Sequence, residues 1–493
     1  MAKIVRYQNY CKIISDDLGL MKELDRELSY KILGSEFSKA YKGYENASGD
    51  WIEWDGRKRL LNPNGRFPAG LYYRVLDFLS EKGIETIIED NRPELTRGIP
   101  INISDRLKEL NIVPRPYQIE AAETAECYDR GIVKAATSAG KTVMMALITA
   151  NLGKSTIIMV IGTDLLYQTH DFFTSVFKEE IGIVGDGNCT VKNITIASVW
   201  TIGKVLGLTE KISLDDEVEK EKEISKDRYQ EIKQMLNSSK VIILDECHIA
   251  SASTIVGISK VIRAEHVLGF SGAPFRDDNS ELMIEAFLGK NIVDLSAKDL
   301  IKQGYLVEPL IRFLAPEPYP YKSGKYQKIY SKYIIENEQR NGMVVKAALK
   351  MVEQGFIPLV LFNNIKHGDI LYKMLKDKTN CVLLSGKDSS KVREKTKRDI
   401  EDGKVKCVIA SRIFDIGLNL PILSGLVIAS AGKSTVRALQ RIGRVIRLYP
   451  GKKMAAVIDF ADNAPYLSDH CQRRREIYES EFNVQWPKEK QEN

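Results

Sequence analysis

Short, almost wholly apolar runs recur along most of the chain, each followed by a longer segment with helical spacing. STIIMVIG, ITIAS, KVIILDE and HVLGFSG form one series. Continuous apolar runs that alternate with helices predict a parallel sheet covered on both faces. After DLSAKDLIKQGYLVEPLIRFL the texture starts again with PLVLFNN, CVLLSG, KCVIAS, GLVIAS and MAAVIDF. Two doubly wound α/β domains in tandem are the simplest account. Up to about Ser104 the pattern differs: polar turn clusters, an aromatic and basic stretch from Trp51 to Arg74, and an amphipathic helix predicted from Leu71 to Lys82. That region reads as a small α+β domain, which sets boundaries at 1–104, 105–294 and 295–493. The stretch from Thr209 to Lys240 is dense in Glu, Lys and Asp and reads as a solvated helical insertion held by i,i+4 pairs.

Composition narrows the picture only a little. A length of 493 residues agrees with about three domains. With 44% hydrophobic and 28% charged residues, neither a disordered chain nor a membrane protein fits. The net charge of +6 is too mild to establish nucleic-acid binding without a clustered patch. Seven scattered cysteines contain no close pair of the kind that clips zinc, so they read as small buried hydrophobes in a reducing compartment. The N-terminus lacks the apolar core of a signal peptide, and no run spans a bilayer. A cytoplasmic location is expected, with no membrane partner.

Candidate chemistry begins after the apolar run GIVKA. Thr137, Ser138, Ala139, Gly140, Lys141 and Thr142 form a turn of small residues leading into the apolar helix VMMALITA. Successive N–H groups of such a turn can face a triphosphate, Lys141 can reach its β and γ phosphates, and Thr142 can hold Mg²⁺. The first glycine of the usual pattern is replaced by Ala135. Downstream, VIILDECH places Asp245 and Glu246 at the end of an apolar strand, where two carboxylates are costly unless a cation compensates them. Asp245 can hold Mg²⁺ through water, and Glu246 can deprotonate the attacking water.

In the second α/β region, QRIGRVIR sets Arg444 and Arg447 three apart on one helix face, with Arg441 one turn earlier. Guanidinium groups so arranged suit a γ-phosphate, and their supply from another domain would let hydrolysis sense domain closure. Taken alone, the segment is equally a basic surface helix. Ala431 to Ser434 imitates a second phosphate loop, but no acidic strand follows it in the right place, so one nucleotide is expected.

In order along the chain, these residues resemble the motifs of superfamily 2 helicases and translocases. RPYQ (Arg115, Tyr117 and Gln118 included) resembles the adenine-reading Q motif, ATSAGKT motif I, IGTDLLYQ motif Ia and IASVWTI motif Ib. DECH resembles motif II, and FSGAP the coupling motif III with Gly272 and Ala273 substituted; VLFNN, SRIFDIGLNLP and QRIGRVIR resemble motifs IV, V and VI. The resemblance implies two RecA-like domains, with Gly417 and Gln440 as further nucleotide contacts. It also implies one DNA strand held at its phosphates by Thr163, Gln168, Ser198, Ser385 and Ser411, independently of sequence.

Within the superfamily the chain is most similar to the phage UvsW-type branched-DNA helicases, because DWIEWDGRKRLL followed by FPAGL resembles the small domain preceding their motor. That implies ATP and Mg²⁺ as ligands, branched, forked or duplex DNA as substrate, and recombination or replication proteins as partners. Arg57, Lys58 and Arg59, interleaved with Trp51 and Trp54, suit phosphate contacts, with the tryptophans read as buried. Two other readings stand beside this one. The first is an RNA helicase or remodeller; the second is a non-motor module that keeps ATP as a structural ligand.

Overall fold

The computed structural model describes residues 1–38, 41–45, 51–208, 221–248, 252–272, 281–317, 323–385, 388, 390–411, 420–432 and 435–487. The chain forms two compact units, Met1–Ala135 with Gly140–Asp294, and Leu295–Asn493 with the short segment Ala136–Ala139.

In the first unit the apolar runs become an eight-stranded sheet. Its order is Asn188–Thr190, Gly182–Gly185, Ile194–Ser198, Thr156–Val160, Val241–Leu244, His266–Ser271, Arg130–Ala135, Asn291–Leu295. The pairings from Gly182–Gly185 across to Arg130–Ala135 are all parallel. Thr156–Val160, Ile194–Ser198 and Val241–Leu244 are buried at every position, as sheets covered on both faces require. Part of the charged stretch corrects the expectation of a solvated insertion. Tyr229–Ser238 is a helix that buries Ile232, Met235 and Leu236 in the main core, because its apolar residues recur at helical spacing among the charges. Residues 209–220 lie outside the described residues.

The N-terminal region of the same unit is α+β, as its texture suggests. Its four-stranded sheet runs Arg66–Pro68, Tyr10–Ile14, Ala2–Arg6, Thr86–Asp90, with only the last pairing parallel. The expected amphipathic helix is present as Tyr72–Glu81, burying Tyr72, Val75 and Leu79. This sheet is fastened to the α/β layer behind it. Arg74 pairs with Glu27 and Glu285, and the buried Arg130 donates to the Phe287 and Gln8 carbonyls at 2.6 and 3.0 Å. Ala286 belongs to the N-terminal core, and a side chain at Gly70 would collide with the Glu285 carbonyl.

The second unit carries a seven-stranded, wholly parallel sheet. Its order is Cys381–Leu384, Cys407–Ala410, Pro358–Leu361, Gly425–Ile428, Ala455–Phe460, Pro309–Leu314, Val484–Gln485. No described helix is long and apolar enough to cross a membrane. Of the cysteines, Cys11, Cys247, Cys407 and Cys471 are buried as expected, whereas Cys127 is exposed.

Candidate active site

In a parallel sheet all loops leaving the carboxyl ends of the strands gather along one edge, the usual place for a ligand crevice. Strand Arg130–Ala135 ends there at the small-residue turn, and helix Lys141–Leu152 begins directly after it. Ser138 and Gly140 have φ of +76° and +84°. A side chain at Gly140 would be strained at that φ and would also run into Gln118 Nε2. Gln118 is buried, and its Oε1 accepts from the Arg115 N–H (2.9 Å) at the start of helix Pro116–Glu126. Arg115 Nη1 also reaches the Tyr117 hydroxyl (3.0 Å). Gln118 of the RPYQ segment therefore lies against Gly140 of the small-residue turn, a proximity that its sequence distance does not reveal.

Two strands away, Val241–Leu244 delivers Asp245 and Glu246 to the same edge. Lys141 Nζ lies 2.7 Å from Glu246 Oε1, and both side chains are largely buried. Burial opposes the charge on Lys141, yet Glu246 and Asp245 together raise its pKa above the ordinary lysine value. Burial first, and then the charge of Glu246, push Asp245 up to about 6. One ammonium thus faces two buried carboxylates, a donor set short of positive charge and suited to a divalent cation. Glu246 has φ +47°, an uncommon conformation for a residue with a side chain, of the kind held at functional sites by surrounding structure.

Strand His266–Ser271 lies between these two strands, so Ser271 ends beside the acidic loop. Its hydroxyl is 2.8 Å from His248 Nδ1, which in turn lies 3.5 Å from Glu246 Oε2. The His248–Ser271 contact joins the segment of the acidic pair to FSGAP, of which Ala273 and Pro274 lie outside the described residues. His248 carries no signal of its own in the sequence; sheet order alone brings Ser271 to it.

In the second unit, helix Thr435–Val445 carries Gln440, Arg441 and Arg444, with Arg447 just beyond its end. Burial, then the neighbouring Arg444 charge, push Arg447 down to about 10. Arg441 instead turns inward, 5% exposed, with Nη1 3.4 Å from Ser430 Oγ. Gly417, Lys433 and Ser434 lie outside the described residues.

Residues 111–276 match the family described as type III restriction enzyme, res subunit, and residues 343–449 match the helicase conserved C-terminal domain. The chain belongs to the superfamily 2 helicases. Among curated relatives, the ATP-dependent DNA helicase uvsW of Enterobacteria phage T4 is 27% identical over 465 residues, covering 89% of this chain and 88% of that protein. The DNA 3'-5' translocase XPB2 of Sulfurisphaera tokodaii is 24% identical over 447 residues, covering 82% and 92%. Of solved structures, S. cerevisiae Dbp5 bound to RNA and ADP BeF3 matches with a TM-score of 0.51 at 14% identity, over 78% of this chain and 93% of that one. An HsdR fragment from Vibrio vulnificus YJ016 matches with a TM-score of 0.51 at 18% identity, over 86% and 75%. These likenesses show the shared helicase fold.

The helicase motifs expected to meet a strand fall at the carboxyl ends of neighbouring strands in each unit. Thr163 opens helix Thr163–Val176, with the exposed Gln168 further along it, and Val160 lies in register with Ser198. Ser198 departs from the expectation of a phosphate contact. It is fully buried, caps helix Val199–Val205, and donates to Glu221 Oε1 at 2.5 Å, so its hydroxyl is committed inside the protein. Ser385 and Ser411 follow adjacent strands and are brought together by the Ser411 N–H donating to the Leu384 carbonyl (3.2 Å). Ser385 itself donates to Asp388 from both its N–H and its hydroxyl.

The helicase's N-terminal basic cluster is a strand, Arg57–Arg59, paired with Ser29–Lys31. Arg57 donates to Ser29 Oγ (2.9 Å), to the Ser29 carbonyl (2.7 Å) and to the Arg26 carbonyl (3.3 Å). Arg59 is ion-paired with Asp25 and Asp55 at 2.8 and 2.6 Å but remains 43% exposed, so a phosphate would share it. Lys58 lies between them. Trp54 is half-buried, with its Nε1 donating to the Arg57 carbonyl (2.8 Å). Trp51, expected to be buried, is exposed.

Proposed function

We propose that this helicase hydrolyses ATP to move on and unwind branched, forked or duplex DNA without regard to sequence, in replication, recombination or repair. Its chemical basis is the buried Lys141–Glu246 pair beside Asp245, at the edge where the phosphate loop ends. Lys141 would hold the β and γ phosphates, drawing the ammonium off the glutamate. Glu246 Oε1, so released, would take a proton from the attacking water. Asp245 and Thr142 would hold Mg²⁺, which when bound neutralises charge on the phosphate oxygens. Arg115, Tyr117 and Gln118 would seat the adenine, with Thr137, Ser138, Ala139 and Gly140 around the phosphates. Gly417 and Gln440 would add contacts to the nucleotide, and Arg444 and Arg447 charge to the γ-phosphate.

DNA is favoured over RNA by the relatives that span most of the chain, which are named as a DNA helicase and a DNA translocase. Thr163, Gln168, Ser385 and Ser411 would meet strand phosphates, and Lys58 and Arg59 would add affinity from the N-terminal region. ATPase rates with duplex DNA, single-stranded DNA and RNA, together with unwinding of forks, D-loops, four-way junctions and linear duplexes, test the reading. DNA should stimulate hydrolysis, and branched substrates should be opened. Equal stimulation by RNA, or hydrolysis without any unwinding, would overturn it.

A further inference from the structure

Between strand Gly425–Ile428 and the arginine helix Thr435–Val445 runs a loop whose first residues, Ala429, Ser430 and Ala431, are fully buried. Buried carbonyls need donors, and two of this loop's carbonyls are met by arginines from different helices. Arg340, on helix Glu338–Glu353, donates from Nη1 to the Ala429 carbonyl at 2.7 Å. Arg474, on helix Leu467–Glu481, donates from Nη1 to the Gly432 carbonyl at 2.9 Å.

The remaining N–H groups are used alike in both. Arg340 grips Asp462 through Nε and Nη2 at 2.7 and 2.9 Å, and Arg474 grips Asp459 in the same way at 2.9 and 3.0 Å. Both aspartates come from the end of strand Ala455–Phe460 or just after it, and all four side chains are almost wholly inaccessible. A forked carboxylate contact fixes the plane of a guanidinium, so the direction of its third donor is fixed too. Buried ion pairs contribute little net stability, and their better-attested use is to specify one arrangement.

We infer that Arg340 and Arg474 are positioning residues for ATP hydrolysis: each, locked to a buried aspartate, pins one end of the loop Ala429–Gly432 and so sets where the arginine helix begins. The inference rests on the proposed role of Arg444 and Arg447 at the γ-phosphate. Small displacements of such groups are expensive, since a shift of about 1 Å can cost on the order of 10²-fold in rate.

The decisive variant is Arg474→Lys in the full chain. One ammonium can stay with Asp459 but cannot also hold the Gly432 carbonyl in the same geometry. DNA-stimulated kcat should fall roughly 10- to 100-fold, while KM for ATP changes by less than about 3-fold. Tyr478→Phe is the control. It removes the Tyr478 hydroxyl's bond to Asp459 (3.1 Å) yet leaves the loop carbonyl held. It should lower the melting temperature with kcat preserved, a separation that a purely structural role would not produce. Arg340→Lys repeats the test at the opposite end of the loop should Arg474→Lys fail to fold. Wild-type kcat in the lysine variants, or equal kcat loss in Tyr478→Phe, would overturn the inference. Unchanged kcat in Arg444→Ala would instead overturn the reading of the arginine helix itself.

Discussion

Lys141 Nζ and Glu246 Oε1 lie 2.7 Å apart, although 105 positions separate them in the chain. The cation proposed for phosphate and the carboxylate proposed for water are each other's partners. The contact gives each side chain a low-cost resting position, and removing Lys141 would leave Glu246 and Asp245 as two buried carboxylates without their cation.

Lys141→Ala should therefore abolish ATP turnover. Steady-state ATPase and fork binding are the measurements, with binding largely retained because the proposed strand contacts lie elsewhere. Near-normal turnover would remove Lys141 from the phosphate site.

Glu246→Gln should bind nucleotide but hydrolyse it very slowly, since the amide keeps the shape and the contact with Lys141 while losing the base. Equilibrium binding of a fluorescent ATP analogue beside single-turnover hydrolysis separates the two effects. Lost binding would show that the acidic pair is assigned in the wrong order.

Arg444→Ala and Arg447→Ala should each lower kcat, by roughly 10³-fold if they act as arginine fingers do. Measured kcat and DNA affinity decide the matter. A dominant loss of affinity with kcat intact would make the helix a DNA surface.

The basic strand of the N-terminal region splits into two predictions. Arg57→Ala removes hydrogen bonds to Ser29 and to the Arg26 carbonyl, so it should lower the melting temperature and leave the salt dependence of fork binding unchanged. Lys58→Ala with Arg59→Ala should instead reduce the salt slope by about 2, one for each DNA phosphate that no longer meets a cation. An unchanged slope in the double variant would make the strand purely structural.

Glu265 provides a pH test of how the N-terminal region is fastened to the α/β layer. Burial by itself would raise its pKa, but hydrogen bonds from Lys154, Thr96 and Lys240 together lower it from 4.5 to about 2. A carboxyl depressed in the folded state contributes stability that is complete above the unfolded value and is lost as pH falls through the folded one. The stability advantage of the native chain over Glu265→Gln should thus be constant above about pH 5 and shrink progressively towards pH 2. Urea midpoints across that range measure it, and a gap that stays constant down to pH 2 would count against the assignment.

Signals carried by neighbours in the chain were legible from the residues alone. The turn from Thr137 to Thr142 sits between an apolar strand and an apolar helix, and DECH follows its own strand, because each depends only on contiguous residues. The doubly wound domains were equally legible, since a strand buried on both faces is apolar along most of its length.

Strand order is different: it is decided by which surfaces pack, and no local pattern encodes it. Only the folded sheet inserts His266–Ser271 between the phosphate loop and the acidic loop, so that Ser271 meets His248. Ser198 shows the same division in reverse. Its place in the motif order is evident from the sequence, but whether its hydroxyl faces out or inward was settled by Glu221, more than twenty residues away. Arg340 and Arg474 have no motif at all; burial gives them meaning, because a guanidinium enclosed in the core must spend every donor, and tertiary packing decides which carbonyls receive them.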